Sequence, residues 1–190
     1  VIDINIPIPE SYTWARNMKA VTCYDGTIAL EVCSVHPEDY RTISNFYKID
    51  QTGKVLAGPF STVDTLDFFP IGNSIKGVLA DSGAAGAPDM DNDLKLEIYT
   101  FDFENEPTSR LIPMNKYAST VHTLDEESYI VIQNTELASI VSIFNMNDEE
   151  ILSMDLSTSI NGSAVAATKA GDHLAFICSS YSEDNEYVFS

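Results

Sequence analysis

A strand motif that recurs four times along the chain constrains the fold more than any other feature of the sequence. Each copy has an aromatic residue, an apolar residue two positions later and, in three of the four copies, an Asp or Asn directly after it. The copies begin at Tyr47, Tyr99, Phe144 and Tyr187. A repeat of about 45 residues is typical of a chain assembled from equivalent supersecondary units.

Each copy belongs to a longer pattern of strands and turns that keeps the same order. A first strand, a tight turn and a second strand precede the motif, and an outer strand follows three of the copies. The strands are rich in β-branched and aromatic residues, and Gly, Asn and Asp occupy the turns. Second strands are expected at Ile28–Val32, Ile75–Leu79, Tyr129–Gln133 and Leu174–Cys178, after turns at Asp25-Gly26, Gly72-Asn73, Asp125-Glu126-Glu127 and Gly171-Asp172. The sequence therefore predicts an all-β chain of four-stranded antiparallel units.

Four antiparallel strands per unit at this spacing are typical of the blades of a propeller. Through this rhythm and its aromatic–apolar–Asp strands, the whole chain resembles the β-propeller superfamily, and loosely the bacterial TolB-like extracytoplasmic propellers. It lacks the Gly-His and Trp-Asp dipeptides of the tryptophan-aspartate repeats, so nothing from that class is carried over. The resemblance implies one β-propeller domain over residues 1–190, with blades at about 14–60, 61–114, 115–156 and 157–190. It implies no activity.

The two ends of the chain complement each other. Val1–Ile8 reads as an alternating strand that belongs to no complete unit, and the fourth unit reaches Ser190 without an outer strand. An N-terminal strand that completed the last blade would close a four-bladed ring and remove its open edges. The alternative is that this chain is part of a larger propeller, cut or completed by another chain.

The charge balance excludes some classes of partner. Lys and Arg number 10 against 29 Asp and Glu, which gives a formal net charge of −19. Nucleic acids and anionic membrane surfaces both attract cationic side chains, so neither is an expected partner. Metal cations and basic proteins or peptides are compatible with this charge, which also favours solubility without any partner.

The sequence contains no recognisable membrane or export segment. No apolar run approaches the ~18 residues of a membrane-spanning helix, and no signal peptide is present. Because the chain opens on Val1 rather than Met, we expect a mature or trimmed product. Together with the propeller resemblance, this favours an extracytoplasmic or secreted bacterial protein.

The three cysteines are expected to be buried free thiols. Cys23 and Cys33 flank the first turn. Pairing across a two-residue turn at Asp25-Gly26 sets Cys23 opposite Ile28 and Cys33 opposite Met18. This register does not bring the two thiols together, so no disulfide is expected.

The longest expected loop, residues 81–93, contains a candidate calcium site. Asp89, Asp91 and Asp93 have the alternating spacing that places carboxylate oxygens around a hard cation such as Ca²⁺. The complete calcium-loop motif is absent, because Leu94 stands where the turn glycine belongs and Thr100 where the bidentate Glu belongs. The alternative is a solvated acidic loop.

The candidate partner-binding residues lie in the loops that join second to third strands and one unit to the next. Such loops share one face of a propeller, where function concentrates on a rigid scaffold. Exposed aromatic rings beside carboxylates favour a peptide carrying Lys or Arg, or a stacked sugar; for Trp14 the alternative is a place in the core. The candidates are Tyr12, Trp14, Arg16, His36, Glu38, Asp39, Tyr40, Tyr181, Glu183 and Asp184.

Three functions are compatible with these features. No nucleophile elbow, phosphate loop or Cys–His pair is present, so no catalytic residue is assigned. The leading hypothesis is a non-catalytic module that binds a protein or peptide through the acidic loop face. The alternatives are a carbohydrate-active or other hydrolytic enzyme with carboxylates near the propeller axis, and a structural part of a larger assembly.

Overall fold

The computed structural model describes residues 6, 14–38, 40–63, 67–81, 94–114, 118–134, 139–156, 163–181 and 187–189. These residues form strands, turns and connections, with no helix among them. The strands are β1 (Trp14–Thr22), β2 (Ile28–Val35), β3 (Thr42–Ile49), β4 (Val55–Val63), β5 (Asp67–Ile71), β6 (Ser74–Asp81), β7 (Leu94–Phe101), β8 (Thr108–Met114), β9 (Ala118–Thr123), β10 (Ser128–Asn134), β11 (Ser139–Asn145), β12 (Glu150–Asp155), β13 (Ser163–Ala170), β14 (His173–Tyr181) and β15 (Tyr187–Phe189).

The strands form four antiparallel sheets in the order of the chain. Three sheets have four strands each, β1–β4, β5–β8 and β9–β12, and the described part of the fourth contains β13, β14 and β15. The prediction of an all-β chain built from blade-like, four-stranded units is therefore confirmed for the first three sheets. The fourth sheet has the expected three strands, and the proposed N-terminal strand lies outside the described residues except for Ile6.

The first turn has three residues rather than two, and this changes the predicted register. Cys23 N–H donates to Thr27 O at 2.8 Å, and Gly26 N–H donates to Cys23 O at 3.0 Å. Gly26 has a φ of 80°, which suits the left-handed position of a three-residue hairpin loop. Ile28 consequently lies opposite Thr22. The predicted pairing with Cys23 was wrong by one residue.

The same shift places Cys33 opposite Asn17 rather than Met18. All three cysteines, Cys23, Cys33 and Cys178, are nevertheless buried free thiols. The expectation of no disulfide is confirmed, although the register from which it was argued was wrong.

The Asp or Asn of the repeat accepts hydrogen bonds from the turn that follows its strand. Asp50 Oδ1 accepts the N–H groups of Thr52 and Lys54 at 2.8 and 3.0 Å. In the third sheet Asn145 makes the equivalent bonds, at 2.9 and 3.0 Å, to the N–H groups two and four residues later. Asn145, and not Asn147, is therefore the counterpart of Asp50. The third copy of the motif was misaligned by two residues because its aromatic residue lies nearer the turn.

One compact unit comprises residues 1–79 and 98–109. Within it Phe46 of β3 meets Phe68 of β5 edge-to-face, with ring centroids 5.3 Å apart, and Phe101 of β7 at 4.4 Å. These rings lie in a core cluster that joins one face of the first sheet to the second. The opposite face of the first sheet buries Leu30 and Tyr47, against which Ile6 packs.

The other compact unit comprises residues 80–97 and 110–190. Its core cluster contains Ile130, Ile143 and Ala167, from both the third and the fourth sheet. Polar side chains at the same interface bond to the backbone of β13. His122 Nε2 donates to Ala167 O at 2.7 Å, and Asn134 Nδ2 donates to Ala164 O at 2.8 Å. His122 therefore supports the packing of two sheets.

Gly58 and Gly171 provide a matched test of the close approach between β4 and β3. Both glycines have positive φ values, 100° and 62°. A Cβ at Gly58 would lie 2.4 Å from Phe46 O, whereas a Cβ at Gly171 meets nothing within 4 Å. We expect Gly171→Ala to reduce the free energy of unfolding by about 1 kcal/mol, the cost of the conformation alone. Gly58→Ala should reduce it by about 3 kcal/mol or more, because backbone must also move. Urea unfolding measures the free energy of unfolding of both variants. Equal decreases would contradict the close approach of β4 to the backbone of β3.

Candidate functional site

The loop between β2 and β3 contains the predicted partner-binding residues that the structure describes most fully. β2 ends at Val35 and β3 begins at Thr42, so a short loop connects the two strands. His36 N–H donates to Arg41 O at 2.8 Å, and Tyr40 N–H donates to His36 O at 3.1 Å. These bonds close a compact turn on the end of a buried hairpin. A rigid sheet thus holds the loop in one place.

Tyr40 has a backbone conformation that is unusual for an aromatic residue. Its φ is 57°, and 71% of the residue is exposed to solvent. Left-handed backbone is rare for residues other than Gly, Asn and Asp, because the Cβ crowds the following carbonyl. The tight loop therefore imposes this conformation on Tyr40. A large ring on strained backbone is presented to solvent instead of being buried.

His36 and Glu38 complete the described part of this loop. His36 Nδ1 accepts the N–H of Glu38 at 3.4 Å, which places the proton of a neutral imidazole on Nε2. Glu38 is exposed and His36 is half-buried. The loop thus carries an imidazole, a carboxylate and an aromatic ring within five residues of sequence. Such groups can bind a cationic side chain.

The structure places the backbone of Trp14 beside this loop. Trp14 pairs with Val35, the residue before His36. Arg16 is the extra residue of a β-bulge, because the register shifts between Ala15 and Asn17.

Of the remaining candidate residues, only Tyr181 lies within the part of the chain that the structure describes. Tyr181 ends β14, where its backbone pairs with Tyr187. The other predicted residues lie outside the described residues, and the calcium and partner roles given to them stay predictions. They are Tyr12, Asp39, Glu183, Asp184, Asp89, Asp91 and Asp93. Among the residues that are described, no group of three His, Cys, Asp or Glu side chains could hold a metal ion.

The sequence prediction missed a buried carboxylate on β2. Glu31 is buried, and Ser44 Oγ donates to its Oε1 at 2.6 Å. Lys19 lies directly opposite Glu31 on β1 and forms an ion pair with Asp67. Burial lowers the pKa of Lys19, an effect that the charge of Glu31 partly offsets. A single charged residue inside the apolar run of β2 was the available signal, since such residues are rarely buried unless they have partners.

A second ionic contact joins the first turn to β3. Lys48 Nζ lies 2.7 Å from Asp25 Oδ2 and 5.6 Å from the centre of the Phe103 ring. Burial alone would raise the pKa of Asp25. The hydrogen bonds from Lys48 and Thr27 outweigh that effect and lower it to about 2. The turn residues Asp25 and Gly26 were predicted from sequence, but the partner on β3 was not.

The two buried carboxylates on the described strands and turns both bond to hydroxyl groups. Glu31 accepts from Ser44, and Asp148 accepts from Tyr129 Oη at 2.8 Å. Burial, followed by the charge of Asp148, raises the pKa of Tyr129, so the phenol stays protonated. Glu31 lies on β2 and Asp148 in the turn between β11 and β12, and both buried carboxylates stabilise the fold.

Comparison of the chain with protein-family models, with curated proteins and with solved structures found no match. Within the described part of the chain, no helix is long and apolar enough to cross a membrane.

The pairing of Asp25 with Lys48 predicts a defined loss of stability in acid. The folded pKa of Asp25 is about 2, below its unfolded value of about 4, so the stabilisation is present above pH ~4 and lost between pH ~4 and ~2. We expect Asp25→Asn to lower the free energy of unfolding at pH 6 by about 1 kcal/mol, allowing for solvent screening. Urea unfolding from pH 6 to pH 2 measures this. Asp25→Asn should also show a smaller decrease in stability over that range than the unmodified protein.

Lys48→Met provides the matching control. It should remove the part of this acid-dependent stabilisation that Lys48 supplies, and the double variant should lose less than the sum of the two single losses. Additive losses would contradict a direct interaction between these two side chains.

Proposed function

We propose that this chain is a non-catalytic binding module whose β2–β3 loop contacts a protein or peptide carrying Lys or Arg side chains. The proposal rests on the conformation and exposure of Tyr40. This residue is 71% exposed and has left-handed backbone with a φ of 57°. Strain of this kind persists where the surrounding structure imposes it, and it clusters at functional sites. The exposed ring offers a face for a cation.

The surroundings of Tyr40 favour a cationic partner over other classes. Glu38 is exposed two residues away, and the whole chain has a formal net charge of −19. Opposite charge accelerates association and discriminates against acidic partners. A cation stacked on Tyr40 would lie within reach of a carboxylate that pairs with it.

We further infer that the four sheets are blades of one propeller, in which residues 1–8 supply the outer strand of the fourth blade. The three complete sheets have the strand order of blades, and neighbouring sheets pack face to face within each compact unit. Residues 187–189 of β15 occupy the edge beside which that strand would lie. The alternative remains a larger propeller of which this chain is a part.

Thermal unfolding tests ring closure. Trp14, the single tryptophan, belongs to the first compact unit, whereas far-UV circular dichroism monitors every strand. In a closed ring the blades support one another, so both signals should change in one coincident transition. Separate transitions would contradict closure.

The same experiment in EDTA and in millimolar Ca²⁺ tests the candidate calcium site. Calcium bound by Asp89, Asp91 and Asp93 would raise the midpoint, because a ligand that binds only the folded state stabilises it. Asp91→Asn should abolish the rise. A midpoint that is indifferent to calcium favours the solvated acidic loop.

The binding proposal predicts a difference between the two ends of the first sheet. Fluorescence anisotropy of a labelled Lys- and Arg-rich peptide should show an affinity about tenfold lower for Tyr40→Ala and severalfold lower for Glu38→Gln. Two controls lie in the turns at the opposite end of the same sheet. Tyr24→Ala removes another exposed aromatic ring, and Gln51→Lys raises the net charge by as much as Glu38→Gln does. Both controls should retain affinity within about twofold. Equal losses in Glu38→Gln and Gln51→Lys, with unchanged affinity in Tyr40→Ala, would mean that only net charge attracts the peptide.

A further inference from the structure

The outer edge of the third sheet is formed by β12, Glu150–Asp155, which is exposed along most of its length. Within the part of the chain that the structure describes, β12 pairs only with β11. Two large apolar residues of this strand are turned to solvent, Ile151 at 60% exposure and Leu152 at 44%. An exposed apolar edge strand is a ready template for the addition of another strand.

The outer strands of the other two four-stranded sheets contain Pro or Arg residues that protect an edge, whereas β12 has a β-bulge near its start and none of these residues. β4 contains Pro59, and β8 contains Arg110 and Pro113. Proline removes a backbone donor from an edge, and a positive charge discourages pairing with another strand. The sequence of β12, Glu-Ile-Leu-Ser-Met-Asp, has no Pro, Lys or Arg. Its edge therefore keeps its backbone donors and acceptors.

The register identifies Ser153 as the residue whose backbone is directed away from β11. Leu156 N–H donates to Ser139 O at 2.9 Å, which makes this a hydrogen-bonded pair. Pairs alternate along an antiparallel ladder, so Val141–Met154 is also of this kind two residues earlier. Ser142–Ser153 is the next pair beyond Val141–Met154 and is therefore a non-hydrogen-bonded pair. Its Ser153 N–H and C=O are therefore directed toward the outer edge.

The charges of β12 select the occupant of this edge. Glu150 and Asp155 carry carboxylates at the two ends of the strand. Antiparallel pairing with β12 of a second copy would place Glu150 opposite Asp155 twice, and like charges directly opposite destabilise a sheet. Each copy also has a formal net charge of −19. A partner segment with Lys or Arg at both ends would instead place a positive charge opposite Glu150 and opposite Asp155.

We propose that β12 binds an extended segment of a partner protein by strand addition, independently of the β2–β3 loop. The partner strand runs antiparallel to β12 and has Lys or Arg at both ends. Its apolar residues lie opposite Leu152 and Met154, which pair with the core residues Ile143 and Val141 of β11. A partner side chain at these positions extends that apolar face outward. Backbone hydrogen bonds to Ser153 supply the affinity, and the side chains supply the specificity.

The test uses a labelled peptide with the core Lys-Val-Thr-Val-Thr-Lys, whose third residue lies opposite Ser153. Fluorescence anisotropy should show saturable binding to the unmodified protein. N-methylation of the third residue should reduce affinity about tenfold or more, because its N–H bonds to β12. N-methylation of the second residue, whose N–H is directed away, is the control and should change affinity about twofold at most. A peptide with Glu at both ends should bind at least about tenfold more weakly.

Variants of Ser153 test the same backbone hydrogen bond by changing β12 instead of the peptide. Ser153→Pro removes the outward N–H without removing a bond to β11, whereas Ser153→Ala removes only the hydroxyl that lies 3.2 Å from Ser142 Oγ. Ser153→Pro should lose about tenfold or more in affinity, and Ser153→Ala should keep it within about twofold. The two N-methylated peptides decide the question on unmodified protein if Ser153→Pro fails to fold.

Three outcomes would overturn the proposal. Equal binding of the two N-methylated peptides would show that no backbone pairing occurs. Loss of binding in Tyr40→Ala with full retention in Ser153→Pro would place the peptide at the β2–β3 loop instead. A dimer in size-exclusion chromatography that Ser153→Pro dissociates would mean that a second copy occupies the edge.

Discussion

The burial of β2 and β10, the second strands of the first and third sheets, on both faces is the constraint on which the rest of the structure depends. All residues of β2 after Ile28 are buried, as are all residues of β10 before Asn134. A strand buried on both faces needs a covering layer on each side, because its apolar residues alternate between the two faces. Phe68 and Phe101 of the second sheet cover one side of the first sheet, and Ile6 packs on the other. Face-to-face packing of sheets is thus a requirement of the strands themselves.

Double burial also explains the polar contacts inside the sheets. A polar side chain on such a strand has no access to water, so it needs a partner within the protein. Glu31 bonds to Ser44, and His122 bonds to the carbonyl of Ala167. These contacts stabilise the interior and leave little freedom there for a binding site.

Recognition is therefore confined to the ends and outer edges of the sheets, and the two surfaces proposed differ in chemistry. The β2–β3 loop presents the ring of Tyr40 and the carboxylate of Glu38 to solvent. The edge of β12 presents backbone groups at Ser153 between two carboxylates. Both are suited to a cationic partner because of the net charge of −19, but only the edge requires that partner to be extended.

Local features of the chain were predictable from the sequence, because they depend on residues that are near one another. Gly and Asp set the turns through their own backbone preferences, and alternation with β-branched residues set the strands. The repeat of these features located all four sheets. At the candidate site, His36, Glu38 and Tyr40 were predicted to lie in one loop, and they do.

Tertiary structure alone decided the features that depend on distant residues. The register of the first hairpin changed with one additional loop residue, and Asn145 rather than Asn147 became the turn acceptor. Sequence alternation does not show that Lys48 reaches Asp25 or that Glu31 is enclosed, because strand packing creates both environments. The strained backbone of Tyr40 has the same origin, since bonds between the two ends of the loop impose it. Short-range preferences determine where strands begin and end, whereas long-range packing determines which side chains meet and which remain exposed.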